Sequence, residues 1–157
     1  MKKIALRTDD EICKFTIHAV PDRPGAAAEL FERLGSEGIS VHMMAASGAE
    51  AGHSDISLTI GRGDAPRAAK ILQKASTELE AGSVSEKGDV VAISLVADEL
   101  HREPGVAGRM FRTLSAQGIN IEMVSAANTA VICLIDSRFL EAAKDALCAE
   151  FKAVVGC

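Results

Sequence analysis

Two stretches decide how this chain is organised: DRPGAAAELFERLGSEGISVHMM at residues 22–44 and REPGVAGRMFRTLSAQGINIEMV at residues 102–124. The second follows the first in a constant register of 80 residues, so that Gly105 corresponds to Gly25. A match of this length in fixed register indicates two copies of one structural unit. We therefore expect the 157 residues to form two small domains.

Hydrophobic periodicity predicts the elements of the first copy. Residues 12–20 alternate as a strand with Cys13, Phe15, Ile17 and Ala19 on its core face. Asp22 is a plausible N-cap and Pro24 suits the first turn of the helix that follows, which Gly38 ends. The remaining predicted elements of this copy are a strand at 39–45, a hairpin loop at 47–53, a strand at 55–60, a helix at 66–80 and a short strand around Val84.

The second copy repeats this order but is short of a strand. Its predicted elements are a strand at 89–97, a helix at 104–117, strands at 120–124 and 130–135, and a helix at 138–150 capped by Ser137. A spare strand at residues 3–7 completes this sheet most economically, which makes residues 12–87 a domain inserted into a second domain of residues 3–8 plus 89–151. The alternative is that residues 153–155 form the closing strand.

Two units of the order β-α-β-β-α-β predict two ferredoxin-like α+β sandwiches, with antiparallel sheets and helices on one face. This fold serves many functions, so function has to be inferred from the site.

Composition excludes several classes of function. The net charge of −5 argues against binding a phosphate backbone, and the 3% aromatic content argues against stacking on nucleic-acid bases. No apolar run approaches the ~18 residues of a membrane span, and the N-terminus has no signal-peptide pattern, so we expect a cytoplasmic protein. The four cysteines form no C-x-x-C pair and have no metal-ligand spacing, so free thiols and no metal site are expected.

The two Pro-Gly loops are the candidate sites. The first turn of a helix offers unpaired N–H groups and a partial positive charge, which suit a carboxylate. Gly25 and Gly105 allow a ligand to approach the backbone, while Asp22 and Glu103 are placed to take an ammonium group. Together these groups describe a site for a free amino acid. The plainer interpretation, a well-capped turn from strand to helix, remains open at this point.

The repeated pattern D-x-P-G, a helix with Leu-Phe or Met-Phe, and then G-I-[SN]-[VI] resembles the ACT domain, a small amino-acid-binding regulatory module. SDISLTI at 54–60, VAISLVADELHREPGVAGRMFRTLSAQGINIEMVS at 91–125 and AVICLID at 130–136 resemble the tandem ACT region of aspartate kinase. The resemblance extends over roughly residues 3–151. It implies regulation by a small amino acid, a homodimer formed through the sheets, and no catalytic residue, cofactor or bound metal.

Carried over by position, the resemblance implies a set of ligand-binding residues in each copy. They are Asp22, Gly25, Ala26, Ala27, Ser40, Ser47, Ser54 and Asp55 in the first and Gly105, Val106, Asn120 and Ser125 in the second. The chain departs from the family pattern at Ala46-Ser47, at Ser40 and at residues 125–131, where polar effector-reading positions are apolar or shortened. We therefore expect an effector smaller or more apolar than lysine or threonine, or an empty site.

The sequence leaves three functions open. The first is a stand-alone amino-acid sensor. The second is the regulatory subunit or a fragment of an aspartate kinase under lysine or threonine feedback. The third is an assembly module whose ligand sites have decayed. The four histidines have no triad partner visible in the sequence, and we expect His18 and His42 on the sheet face opposite the helices.

Overall fold

The computed structural model describes residues 3–48 and 52–152, and the chain divides into two compact units. We call Glu11–Gly88 the first unit, and Met1–Asp10 together with Asp89–Cys157 the second unit. In chain order the strands and helices are β1 (Ala5–Asp9), β2 (Ile12–Pro21), α1 (Ala26–Ser36), β3 (Val41–Gly48), β4 (His53–Gly61), α2 (Ala65–Glu78), β5 (Val84–Lys87), β6 (Val90–Val96), α3 (Val106–Ala116), β7 (Met123–Ala127), β8 (Ala130–Asp136) and α4 (Leu140–Glu150).

Among the described residues, each unit has one four-stranded antiparallel sheet and two α-helices, which confirms the predicted α+β class. The sheet of the first unit has the order β3-β4-β2-β5, and that of the second has the order β7-β8-β6-β1. Strand β1 pairs with β6 in the second unit as β5 pairs with β2 in the first. The edge strand thus precedes its sheet in the sequence of one unit and follows it in the other. Residues 153–155, the alternative closing strand, lie outside the described residues.

A separate hydrophobic core fills each unit between its sheet and its helices. The first contains Phe15, Ile17, Leu30, Leu34 and Leu72, all of them at most 1% exposed. The corresponding set in the second unit is Ile93, Leu95, Met110, Leu114 and Leu147, all fully buried. Each such side chain contributes about 1.5–3 kcal/mol by leaving water. Val106, Met110 and Leu114 of α3 are buried in this second core, and Phe111 is partly buried at its edge.

The two helices that follow the Pro-Gly loops, α1 and α3, end in the same way, as the sequence predicts. Gly38 and Gly118 have φ angles of 73° and 70°, in the left-handed region that glycine enters without steric cost. The N–H of Ile39 donates to the carbonyl of Leu34 at 3.0 Å, and that of Ile119 donates to Leu114 at 3.1 Å. These are the six-to-one bonds of the Schellman motif, which satisfies carbonyls that the helix leaves unpaired.

The predicted helix starts are wrong in detail. The residue before α1 is Gly25, no side chain caps the helix, and Asp22 and Pro24 lie outside it. Residues 137–139 form a 3-10 turn ahead of α4, in which the carboxylate of Asp136 accepts a hydrogen bond from the N–H of Arg138 at 3.0 Å. Asp136, rather than Ser137, therefore caps this turn, and α4 begins after Phe139 without a side-chain cap from the described residues.

The predicted alternation of β2 also fails at its end. The register against β4 shifts between Ile17 and Val20, and Ala19 has a φ of 51°. Val20 consequently enters the core at 2% exposure, while Ala19 is only half-buried. This β-bulge re-aims the chain just before the first Pro-Gly loop.

The cysteines are not all free thiols as expected. Cys13 and Cys133 are free and buried, and burial raises their pKa values to about 11 and about 12. The nearby Glu86 carboxylate adds to the raised pKa of Cys13. Cys148 is disulfide-bonded, so the expectation is wrong there. Cys157 lies outside the described residues.

Candidate ligand site at the Pro-Gly loops

The two Pro-Gly loops have nearly the same backbone. Gly25 has a φ of 89° and Gly105 a φ of 88°, which L side chains rarely adopt. A Cβ placed at either glycine would have no neighbour within 4 Å. The backbone conformation, rather than crowding, is therefore what requires glycine here, and each glycine leaves open space beside the helix start.

The first turn of each following helix exposes N–H groups. The N–H of Glu29 donates to Gly25 and that of Arg109 to Gly105, both at 2.9 Å. Residues 27–28 and 107–108 precede these donors, so the helix provides no carbonyl for their N–H groups. With the partial positive charge of the helix end, such groups favour an anion such as a carboxylate.

The second unit has a cavity of about 260 Å³ at its loop, which we call the loop cavity. It lies below the roughly 300–1,000 Å³ of sites for drug-sized ligands, so it suits a small molecule. Its lining comes from the turn before α3, the start of α3 and the facing strand ends: Leu100, His101, Glu103, Pro104, Gly105, Val106, Ala107, Ala126, Ala127 and Val131. The predicted residues Gly105 and Val106 are among them.

On one side of the loop cavity, hydrogen bonds hold a 3-10 turn against the β7–β8 turn. The turn, Leu100–Arg102, buries Leu100 in the core. The backbone N–H and the Nδ1 atom of His101 lie 3.1 Å and 3.0 Å from the carbonyl oxygen of Asn128. The N–H of Ala97 donates to Thr129 at 2.9 Å. The strand ends therefore face the loop in a fixed position.

Glu103 is the acidic side chain of the loop cavity. It is half-buried, and its N–H donates to the carbonyl of Leu100 at 3.0 Å. Within residues 3–48 and 52–152, the Glu103 carboxylate has no ion-pair or hydrogen-bond partner, whereas neighbouring Arg102 pairs with Glu99 at 3.0 Å. Glu103 is thus available to a cationic group, and its predicted role in binding an ammonium group stays a prediction.

Two predicted residues of the second unit lie elsewhere. Asn120 is exposed between α3 and β7 and is not part of the cavity lining. Ser125 pairs with Ile132. The preceding residue, Val124, pairs with the core residue Cys133. Because successive side chains of a strand point to opposite faces, Ser125 faces away from the helices.

In the first unit, the predicted loop residues lie together. Asp22, Gly25 and Ala27 are exposed and Ala26 is 2% exposed, and the N–H of Asp22 donates to the carbonyl of Gly52 at 2.8 Å. That bond ties the loop to the β3–β4 hairpin. Ser40 is exposed ahead of β3, outside the loop.

The polar residues of β3 and β4 divide between the two faces of the sheet. Ser54 pairs with the core residue Val20 and lies on the helix side. Asp55 follows Ser54 on β4, so Asp55 and its partner Ser47 lie on the opposite face of the sheet. The structure therefore places Ser54, but not Ser47 or Asp55, on the side of the sheet where α1 packs.

Asp55 holds the bulge of β2. Its Oδ1 accepts a hydrogen bond from the N–H of Ala19 at 2.9 Å, and its Oδ2 lies 3.3 Å from Nδ1 of His18. The bond from Ala19 is the main cause that lowers the pKa of Asp55, and His18 adds to it. Nε2 of His18 lies 2.8 Å from the Ser85 hydroxyl, so the network links strands β4, β2 and β5. The sequence alone shows no partner for His18, because His18, Asp55 and Ser85 are far apart along the chain.

The described residues contain no group of three or more His, Cys, Asp or Glu side chains that could share a metal ion. In the same part of the chain, no helix has the length and apolar character needed to cross a membrane.

Residues 16–77 and residues 93–151 each match a family described as ACT domain. The chain belongs to the ACT domain family. The two matches fall one in each unit, so this is a tandem pair of ACT domains, as the repeated Pro-Gly pattern indicated.

The relatives of this ACT pair are aspartate kinases. The chain is 32% identical over 149 residues to an aspartate kinase of Pseudomonas fluorescens, covering 95% of this chain and 36% of the kinase. It thus spans about a third of the length of its curated relatives. A structure of aspartokinase alpha and beta subunits is 30% identical with a TM-score of 0.88, covering 94% of this chain and 97% of that one. The ligand-free regulatory subunit of aspartate kinase from Thermus thermophilus has the same fold, with 24% identity, a TM-score of 0.91 and coverage of 96% and 99%.

Proposed function

We propose that this ACT pair is a non-catalytic regulatory module that binds a small free amino acid, and that the loop cavity of the second unit is a binding site. The observation that carries the proposal is the cavity itself, which combines a helix N-terminus, a carboxylate without a partner among the described residues, and apolar walls. A carboxylate of the ligand would lie at the first turn of α3, and its ammonium at Glu103.

The first Pro-Gly loop is a second candidate in the same proposal. Asp22, Gly25, Ala26 and Ala27 lie together there, with Ser54 on the same side of the sheet. The engagement of Asp55 with Ala19 and His18 argues for a supporting rather than a ligand-reading role at that position.

The likeness to aspartate kinases supports a place in the regulation of such an enzyme, as a separate subunit or as part of a longer chain. One solved relative consists of aspartokinase alpha and beta subunits and covers nearly the same length as this chain. The kinase activity belongs to those relatives, and feedback by lysine or threonine is the alternative to a smaller or more apolar effector. A cytoplasmic location rests on the same likeness.

We also propose that two copies associate through their sheets. Met44 and Val124, at equivalent positions of the edge strands β3 and β7, are 54% and 46% exposed. Edge strands have backbone groups free to pair with another chain. A second copy would cover both the apolar side chains and these groups.

A thermal-shift panel of the free amino acids, each at millimolar concentration, tests the binding proposal. A ligand at ~100 times its Kd adds about 2.7 kcal/mol to the free energy of unfolding, which raises Tm by several degrees. We expect a rise with one amino acid or a small group of similar ones. If none of them raises Tm, amino-acid binding is rejected and the chain is an assembly module.

A further inference from the structure

The loop cavity has two polar side chains, Glu103 and His101, among otherwise apolar side chains in its described lining. We infer that these two residues determine the specificity of the site, selecting a small apolar amino acid by its free ammonium group. This inference rests on the proposed function, since it names the ligand class of the same site.

Glu103 provides the charge that an ammonium needs. Its carboxylate is half-buried and without a partner in the described part of the chain, so a cation gains a charge-assisted hydrogen bond there. The same site favours a ligand with one ammonium group over lysine, because a single carboxylate lines the cavity. The second ammonium of lysine would gain no charged partner there.

His101, which is exposed, adds a second possible acceptor to the lining of the cavity. A carbonyl oxygen can only accept, so the 3.0 Å contact with Asn128 assigns the proton to Nδ1. In the neutral ring, Nε2 is then an acceptor, and the backbone bond from His101 to the same carbonyl fixes the residue in place. An ammonium group has three N–H donors and can use both Nε2 and the carboxylate.

Apolar side chains line the rest of the cavity. Val106 and Val131 are at most 7% exposed, whereas Ala126 and Ala127 at the end of β7 are exposed. These side chains have no group to pair with the hydroxyl of threonine, which therefore gains no hydrogen bond from them. The volume of about 260 Å³ limits the size of the ligand further.

The first unit has neither acceptor at the corresponding positions. In the 80-residue register, Arg23 replaces Glu103 and Pro21 replaces His101. The charge at this position is thus reversed, although the loop backbone is the same, and the acidic residue of the first loop is Asp22, one position earlier. The first loop is therefore not a second copy of this specificity, and Arg23 provides a matched control position.

The test is calorimetric titration of the full chain with glycine, L-alanine, L-valine, L-threonine and L-lysine, together with 3-methylbutanoate, which is valine without its amino group. We expect valine or alanine to bind more tightly than threonine and lysine, and valine at least tenfold more tightly than 3-methylbutanoate. Glu103→Gln should weaken valine binding roughly tenfold or more and remove most of its advantage over 3-methylbutanoate. Glu103→Asp should restore part of that advantage, and His101→Phe should weaken valine binding less than Glu103→Gln does.

The control Arg23→Gln should leave valine binding unchanged, and an unaltered circular dichroism spectrum and Tm without ligand establish that each variant folds. Tighter binding of lysine than of valine overturns the inference, as does valine binding that Glu103→Gln leaves unchanged. Those results would leave the proposed function standing, with a different ligand or a different site. If no amino acid binds the unaltered protein, the proposed function itself fails, and this inference fails with it.

Discussion

The two Pro-Gly loops share a backbone but are supported in different ways. Both have a left-handed glycine before the helix and a Schellman motif after it. In the first unit the strand before the loop is bulged and held by Asp55, whereas in the second a 3-10 turn is tied to Asn128. The repeat therefore preserves the backbone geometry of a site, whereas the surrounding side chains determine what that site binds.

The largest effects should come from the cores, where the two units are most alike. Leu34 and Leu114 are equivalent and fully buried, so Leu34→Ala and Leu114→Ala should each lower the free energy of unfolding by about 2–5 kcal/mol. Urea denaturation followed by circular dichroism measures both, and Glu37→Ala on an exposed position should change it by less than about 0.5 kcal/mol. A loss in only one unit would break the equivalence of the two cores.

The loop glycines should come next. Gly25→Ala and Gly105→Ala place a side chain in the left-handed region, at a cost of about 1–2 kcal/mol each, although no neighbour lies within 4 Å. Gly108→Ala, inside α3 with equally open surroundings, should instead stabilise the protein by up to about 1 kcal/mol. Equal effects at Gly105 and Gly108 in a denaturation experiment would show that the loop conformation is not the constraint.

The Asp55 network, which occurs in the first unit, should make the stability of the protein depend on pH. The pKa of Asp55 is lowered in the folded protein, so its charged form stabilises the fold above the ordinary aspartate pKa of about 3.9. That contribution is lost as the pH falls through the lowered value. Asp55→Asn should therefore lower Tm near pH 6 and make little difference in strong acid. A Tm difference that stays constant from pH 7 to pH 2.5 would exclude a charge effect.

The helix-surface ion pairs should have the smallest effect. Arg109 donates to Glu150 at 2.9 Å and stacks 4.4 Å from the ring of Phe151, whereas Arg33 pairs with Glu29 and Glu78 in the first unit. Arg109→Ala should lower the free energy of unfolding by about 0.5–1 kcal/mol. Since salt screens the ion pair, 1 M NaCl should reduce the difference from the unaltered protein. A loss of several kcal/mol in denaturation experiments would mean that this arginine is part of the core packing.

The repeated stretches predicted the helices, their glycine ends and the antiparallel sandwiches, because hydrophobic periodicity and glycine positions act locally. They did not predict the bulge at Ala19, because the hydrogen bond that fixes it comes from Asp55 on another strand. For the same reason the connection from Asp55 through His18 to Ser85 is not visible in the sequence. The ligand-reading role of Asp55 is implied by the family resemblance and stays a prediction. Spacing also placed the helix cap at Asp22, whereas the left-handed Gly25 occupies that position.

The loop cavity was only partly predictable from the sequence. Gly105, Val106 and Glu103 follow from the Pro-Gly pattern, and they line the cavity. Its far wall, Ala126, Ala127 and Val131, depends on the register of β7 against β8, which no local pattern fixes. The contribution of His101 depends on a hydrogen bond to Asn128, 27 residues further along the chain.

The most direct test of the central claim is an NMR titration of the ¹⁵N-labelled full chain with L-valine and L-alanine. We expect chemical-shift changes concentrated at residues 100–107 and 126–131, with much smaller changes at residues 22–27. Changes concentrated at residues 22–27 would contradict the assignment of the site to the second unit, and equal changes at both loops would contradict the specificity inferred for the second loop. Spectra unchanged at millimolar amino acid would contradict small amino-acid binding altogether.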